Sequence, residues 1–250
     1  MSIEKAQALV LRKRDFRETS LIVDFYSLEF GKLSGLLKGI RTEPSKFASN
    51  LELFSANEIV FYRKNSSLHL VSQADKLQNF TQIRQSIEKT VLASFMMELV
   101  ATVMQAEDKN EEVYALALNC LKELETNYNP SKIATIFKIK MLALSGFKPH
   151  FDSCICCSSK IMAQSKFSMS HGGLLCANCC HKDLSSRSIF RGTIATILHI
   201  EKNDFRSGLN LGMNPEIKKE LDVILNSFLN FHLGKELKSQ KVINKLAVAV

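Results

Sequence analysis

Tryptophan is absent, proline occurs only four times in 250 residues, and no run of eighteen apolar residues occurs. So little proline excludes collagen-like and proline-rich extended chains. Without a long apolar run there is no candidate for a membrane-spanning helix. The opening Met1-Ser-Ile-Glu-Lys-Ala6 lacks the apolar block of a secretory signal. The expectation is a cytoplasmic protein with reduced cysteines. Enzyme signatures are missing too. There is no G-x-x-x-x-G-K-[ST] phosphate loop, no G-x-S-x-G and no H-E-x-x-H. Gly31, Gly35 and Gly39 recur every four residues, which is not a dinucleotide fingerprint. The six histidines show no metal or triad spacing, and the carboxylates are scattered. A non-enzyme is expected.

What the chain has in excess is positive charge. Lys and Arg number 33 against 25 Asp and Glu, a formal net charge of +8. Residues 1–80 hold 12 cations against 9 anions, 81–150 hold 8 against 8, and 151–250 hold 13 against 8. Two basic ends around a neutral middle favour a polyanionic partner.

The second excess is local. Six of the seven cysteines lie between Cys154 and Cys180. They include Cys154-x-x-Cys157 and Cys176-x-x-Cys179, with eighteen residues between the pairs. Each Cys-x-x-Cys turns the backbone so that both sulfurs face one metal, and two such knuckles complete a tetrahedral four-thiolate zinc site. Such a site has no open position for water or substrate, so one structural Zn²⁺ is expected. Gly172-Gly173 suits a hairpin turn feeding the second knuckle. Cys156 and Cys180 are spare; Cys180, His171 or His181 can substitute for a regular ligand, a choice that spacing leaves open.

Between Ala6 and Gln73 the pattern is that of five short strands: Ala6–Arg14, Ser20–Ser27, Lys32–Leu37, Asn57–Arg63 and Ser67–Gln73, the last two joined through Lys64-Asn-Ser66. Five strands in so short a span suggest a small barrel. The OB-fold is the five-stranded option, with other small barrels and an SH3-like roll compatible with the same pattern. From Phe80 the period becomes helical. One stripe runs through Phe80, Ile83, Ile87, Val91, Phe95, Leu99 and Val103. A second holds Val113, Leu116, Cys120, Leu121 and Leu124. Asn129-Pro130 and Asn214-Pro215 each read as a helix start, cap then first-turn proline, and Gly146 as a helix end. Ser188–Ile200 reads as one further helix. The expected class is α+β: a five-stranded OB-fold barrel over 1–79, then a helical domain over 80–250 interrupted by the zinc module at about 150–183.

Particular residues resemble the bacterial RecO recombination-mediator family. Ala8-Leu-Val-Leu11 with Glu18-Thr-Ser20 is similar to its opening strand and loop. Gly31-Lys-Leu-Ser-Gly-Leu-Leu-Lys-Gly-Ile-Arg41 resembles its Gly-x-x-x-x-x-x-Lys-Gly-x-Arg segment. Gly146-Phe-Lys-Pro149, the two cysteine pairs, Phe167-Ser168 and Gly172-Gly173 resemble its zinc module, and Leu237-Lys-Ser239 its last helix. The resemblance spans nearly the whole chain. It implies a cytoplasmic, nucleoid-associated DNA repair protein that binds single- and double-stranded DNA and anneals complementary strands. It also implies contacts with RecR and with the C-terminal tail of single-strand-binding protein, and help, indirectly, in placing RecA on DNA. Under that reading Arg12, Lys13, Arg14, Lys32, Lys38, Arg41 and Lys46 are the DNA-binding candidates on the barrel, with Phe30 and Phe47 able to stack bases. Phe228, Phe231, Lys235 and Lys238 offer the apolar and cationic parts of a receptor for an acidic tail. A zinc-ribbon adaptor whose barrel binds peptide is the competing reading.

Overall fold

The computed structural model describes residues 2–42, 47, 51–126, 129–161 and 164–248. Lys46 lies outside them. The chain divides into two compact units, 1–131 with 237–250, and 132–236.

The first unit begins with β1 (Ile3–Phe16), β2 (Ser20–Ser27), β3 (Gly31–Leu37), β4 (Ala56–Tyr62) and β5 (Leu68–Gln78). They close into a barrel in the order β1-β2-β3-β5-β4. The β3–β5 pair is parallel and the others antiparallel. That closed order is the OB-fold expected from the strand pattern. Inward positions alternate with outward ones, so Val10, Val23, Phe25, Leu37, Ile59, Phe61 and Val71 fill the interior. β1 is long enough to pair with β4 through Ile3–Leu9 and with β2 through Ala8–Phe16. A bulge between Val10 and Arg12 bends it between the two partners.

Helices α1 (Thr81–Gln85), α2 (Ile87–Val103) and α3 (Glu111–Thr126) follow. The single apolar stripe from Phe80 to Val103 is thus broken. Ser86 is extended and its side chain accepts the Lys89 N–H, restarting the helix. Ile87, placed on the stripe by spacing, is 75% exposed. α8 (Lys238–Val248) returns to α2, where the Glu98 carboxylate accepts the N–H groups of Lys238 and Ser239 and the Ser239 hydroxyl. A carboxylate from a neighbouring helix therefore serves as the cap of α8.

That arrangement has a pH signature. Partial burial raises the Glu98 carboxyl, but the Ser239 hydroxyl and the two N–H groups outweigh it and hold it below its ordinary value. A depressed carboxyl contributes stability above its unfolded value and loses it as pH falls towards the folded one. The α8 amides should therefore lose protection, measured against their intrinsic exchange rates, as pH falls below about 4.5. Glu98→Gln should cost about 1 kcal/mol at neutral pH and flatten this acid dependence; an unchanged acid profile in that variant would assign the effect to other groups.

The second unit contains α4 (Pro130–Leu144) from Lys132 onward, a three-stranded sheet, and helices α5 (Arg191–Lys202), α6 (Phe205–Asn210) and α7 (Pro215–Leu233). The sheet holds β6 (Ser165–Ser168), β7 (Gly173–Cys176) and β8 (Arg187–Ile189) in the order β7-β6-β8. The Asn214 side chain accepts the Ile217 N–H at 2.8 Å, with Pro215 in the first turn, as the Asn-Pro pattern predicts. Gly234 closes α7 with φ +64°. Reading Ser188–Ile200 as a single helix needs correction. Ser188 and Ile189 pair with Lys166 and Ser165 of β6, and helix α5 begins at Arg191. The Glu220 carboxylate fixes that start by accepting the Phe190 N–H and the Thr193 hydroxyl.

Candidate metal centre and nucleic-acid interface

The cysteine module is assembled by backbone bonds that its glycines permit. Gly172 turns at φ +69°, and a side chain on Gly173 would meet the Cβ and carbonyl oxygen of His150 at 2.9 Å. With that space open, His150 N–H reaches the Gly172 carbonyl and Leu174 N–H the His150 carbonyl, at 2.8 and 3.0 Å. Ile155 N–H then bonds the Leu174 carbonyl, which sets the first knuckle beside the end of β7. Within the knuckles, Ser158 N–H closes onto the Cys154 carbonyl and Cys179 N–H onto that of Cys176.

The result brings the Sγ atoms of Cys154, Cys157, Cys176 and Cys179 within 4.8 Å of one another. Sulfurs at 2.3 Å from a tetrahedral metal stand about 3.8 Å apart, and the Cys157–Cys176 separation is 3.7 Å. The donor set therefore fits a tetrahedral thiophilic ion. Cys154 and Cys179 are buried and Cys157 is exposed. Burial pushes the Cys154 thiol up, but N–H groups led by that of Cys176 outweigh it and bring it to about 6. Burial, then the neighbouring thiols, push Cys179 up to about 12. Four crowded thiols cannot all ionise without a cation between them. Among the described residues this is the one group of three or more His, Cys, Asp or Glu close enough to share a metal. Cys156, Cys180, His171 and His181 are not in it; the Cys180 thiol donates to the Ala177 carbonyl and His171 engages Ser168 and Ser170.

Sequence reading missed Asp183, which ties the module together. Its carboxylate accepts from the hydroxyls of Ser168, Ser170 and Ser185 and from the Ser185 N–H. The Ser168 hydroxyl, first among these, holds it well below the usual carboxylate range. A lone acid among serines was the available signal.

On the barrel, Asp24 alternates with the inward Val23 and Phe25, so it faces outward between Arg12 on β1 and Ser34 on β3. It accepts from Arg12 at 2.9 and 3.0 Å, Arg14 at 3.1 Å and Ser34 at 2.8 Å. Two guanidiniums are thereby held on one β1–β2–β3 face. Asp24 was not anticipated; an acid flanked by apolar strand residues opposite an arginine was the sign of it. Arg41 pairs with Asp15 at 2.5 Å, and its other guanidinium nitrogen reaches the Glu18 carbonyl. Lys38 is exposed and has no ion pair among the described residues. Lys13 is half-buried. Lys32 corrects the sequence reading. Its ammonium donates to the carbonyls of Ala101 and Met104 at the end of α2, and burial pushes its pKa below the ordinary lysine value. It holds the barrel to α2 rather than facing outward. Phe47 is 4% exposed and belongs to the barrel core. Phe30 packs edge-on against Phe61 with Arg63 over its ring.

The four candidates for a peptide receptor divide between the two units. Phe228 is buried, with its ring against Phe167 and His232, and so is not open to a peptide. Phe231 is exposed, and Lys235 lies in the second unit with both. Lys238 belongs to the first unit at the start of α8.

Two family models match in tandem: "Recombination protein O N terminal" over residues 1–80 and "Recombination protein O C terminal" over 84–241. Proteins named DNA repair protein RecO resemble the chain end to end. That of Desulfatibacillum aliphaticivorans is 30% identical over 246 residues, 96% of this chain and 95% of its own. That of Caldicellulosiruptor saccharolyticus is 29% identical over 238 residues, 95% and 96%. The Listeria monocytogenes protein is 28% identical over 246 residues, 98% and 95%. Since the two matches together cover nearly every residue from the barrel to α8, the chain belongs to the RecO family.

Proposed function

We propose that the chain is a cytoplasmic, non-enzymatic DNA repair protein. It binds single- and double-stranded DNA, anneals complementary strands, and helps load RecA onto DNA coated by single-strand-binding protein. The end-to-end match to relatives named as DNA repair proteins carries this reading. RecR and the acidic tail of single-strand-binding protein are the proposed partners, with Phe231 and Lys235 left as exposed candidates for the tail. The boundary near residue 80, where one family match ends, is the proposed border of the DNA-binding barrel. The four cysteines would hold one zinc ion, which cross-links the two knuckles and supplies no reactive position.

Annealing needs no catalytic group. Two phosphate backbones repel, and a basic surface that displaces their counterions lowers that repulsion. Arg12 and Arg14 share one carboxylate and so bring a net positive charge to the β1–β2–β3 face. Arg41 must exchange Asp15 for a phosphate. Both partners are about half or more exposed, so the exchange costs little.

The test is Lys38→Ala with Arg41→Ala. Binding should weaken for every sequence. The log–log salt slope should fall in magnitude by about 0.7 to 0.9 for each phosphate that the variant no longer neutralises. Annealing should slow in step. An unchanged slope would place these residues away from the DNA, and retention on DNA that ignores salt would favour the peptide-binding adaptor.

A further inference from the structure

The second unit carries an acid-poor groove beside the cysteine cluster. Between Ser153 and Ile200 the only acidic residue is Asp183, against Lys160, Lys166, Lys182, Arg187 and Arg191. Asp183 is buried and spent on serines. None of the five cations has an ion pair among the described residues. Arg12, Arg14, Arg41 and Arg63 of the barrel, by contrast, each pair with a carboxylate. Even with a tetrathiolate zinc centre of formal charge −2, the cations of the module outnumber its negative charges.

The groove has a shape that matches these charges. A cavity of about 350 Å³ is walled by Ser165, Lys166, Leu175, Ile189 and Phe190. A second, of about 190 Å³, holds Lys160. They share Gln164, Cys176 and Ala177, so they form one trough along the second knuckle, with Lys166 lining one cavity and Lys160 the other. Phe190 is 57% exposed in its wall, next to Arg191 at the start of α5. Ser165 is 5% exposed and its hydroxyl has no partner. The carboxylate in the wall, Glu220, is already committed to Phe190 and Thr193.

We propose that this trough is a second nucleic-acid site, separate from the barrel, that takes a single strand. A splayed base stacks on Phe190, the exposed ring of the trough. The adjacent phosphates run past Lys166 and Arg191 towards Lys160. A duplex keeps its bases stacked inside and cannot fill the cavity, so the site discriminates single from double strands. An acidic peptide would satisfy the cations but would leave the exposed aromatic ring without a planar partner.

The experiment uses the intact protein and an oligothymidylate carrying photoreactive 5-iodouracil. Illumination of the wild type should cross-link the peptide that contains Phe190, and this needs no variant. Phe190→Ala should weaken single-strand affinity roughly tenfold, with duplex affinity unchanged. Lys160→Gln with Lys166→Gln and Arg191→Gln should lower the single-strand salt slope by about 0.7 for each phosphate left without its cation. Retained metal content and melting temperature would show that these surface changes leave the fold intact. Cross-links confined to barrel peptides would overturn the proposal, as would equal losses on single and double strands. The Lys38→Ala, Arg41→Ala protein measured alongside separates the two readings. If it binds normally while the trough variants fail, the barrel reading falls and this one stands.

Discussion

Cys154→Ser is expected to leave the protein without metal and to unfold much of residues 132–236. Cys154 is buried, and its sulfur also accepts the Cys176 N–H at 3.4 Å. Its loss removes one corner of the tetrahedron and one backbone tie together. Structural zinc contributes about 10 to 16 kcal/mol to isolated zinc-finger peptides, and that binding energy is folding energy. The cost here should be smaller, because Phe151 stacks on Phe167 and Phe228 meets Phe167 edge-on, contacts that need no metal. Metal analysis should fall from one zinc per chain to none. Proteolysis should open the second unit first, and a strong chelator should reproduce both effects. Lower pH should also release the metal, since protons compete for the thiolates. DNA binding by the barrel should fall only indirectly. A metal-free Cys154→Ser protein that melts like the wild type would rule out a structural role for the cluster.

The second large effect is expected at Gly31. Its φ is +65°, and an added Cβ would stand 2.2 Å from the Asp108 carbonyl oxygen and 2.5 Å from its carbon. Those are backbone atoms of the 104–110 connection, which cannot swing aside as a side-chain tip can. The connection is tied to the barrel at Glu107, Asp108 and Asn110. Glu107 N–H bonds the Lys32 carbonyl, and the Tyr26 hydroxyl donates to the carbonyls of Asp108 and Asn110. The Lys32 ammonium holds the end of α2. Gly31→Ala therefore adds both a clash and a left-handed alanine, and should cost about 3 kcal/mol or more. Gly146→Ala is the control. It has the same sign of φ, +78°, and nothing within 4 Å of the added atom, so it should cost about 1 kcal/mol. Urea unfolding followed by amide exchange in β3 and α2 measures the difference. Equal costs for the two variants would show that the clasp yields.

Much of the site is legible in the chain itself. The cysteine pairs were legible because a Cys-x-x-Cys turn is local and its metal geometry leaves few alternatives. The barrel strands were legible because a two-residue period survives in the chain wherever one face is buried. Lys32 was not. Its neighbours in sequence are those of a surface cation, and its true partners, Ala101 and Met104, lie some seventy positions away. Asp24 was missed for the same reason, since Arg12 and Ser34 meet it only when β1 and β3 flank β2.

The sequence by itself determined the five barrel strands, the two Cys-x-x-Cys pairs, the Asn-Pro helix starts and the family resemblance, because each is carried by residues close together along the chain. Only the tertiary structure decided which cations face solvent and which hold the protein together. It also set the start of α5, which waited on β6 and Glu220, and it made the acid-poor trough. The reason is that ion pairs, edge strands and cavities are formed between segments, and their energies depend on a spatial arrangement that no local pattern encodes.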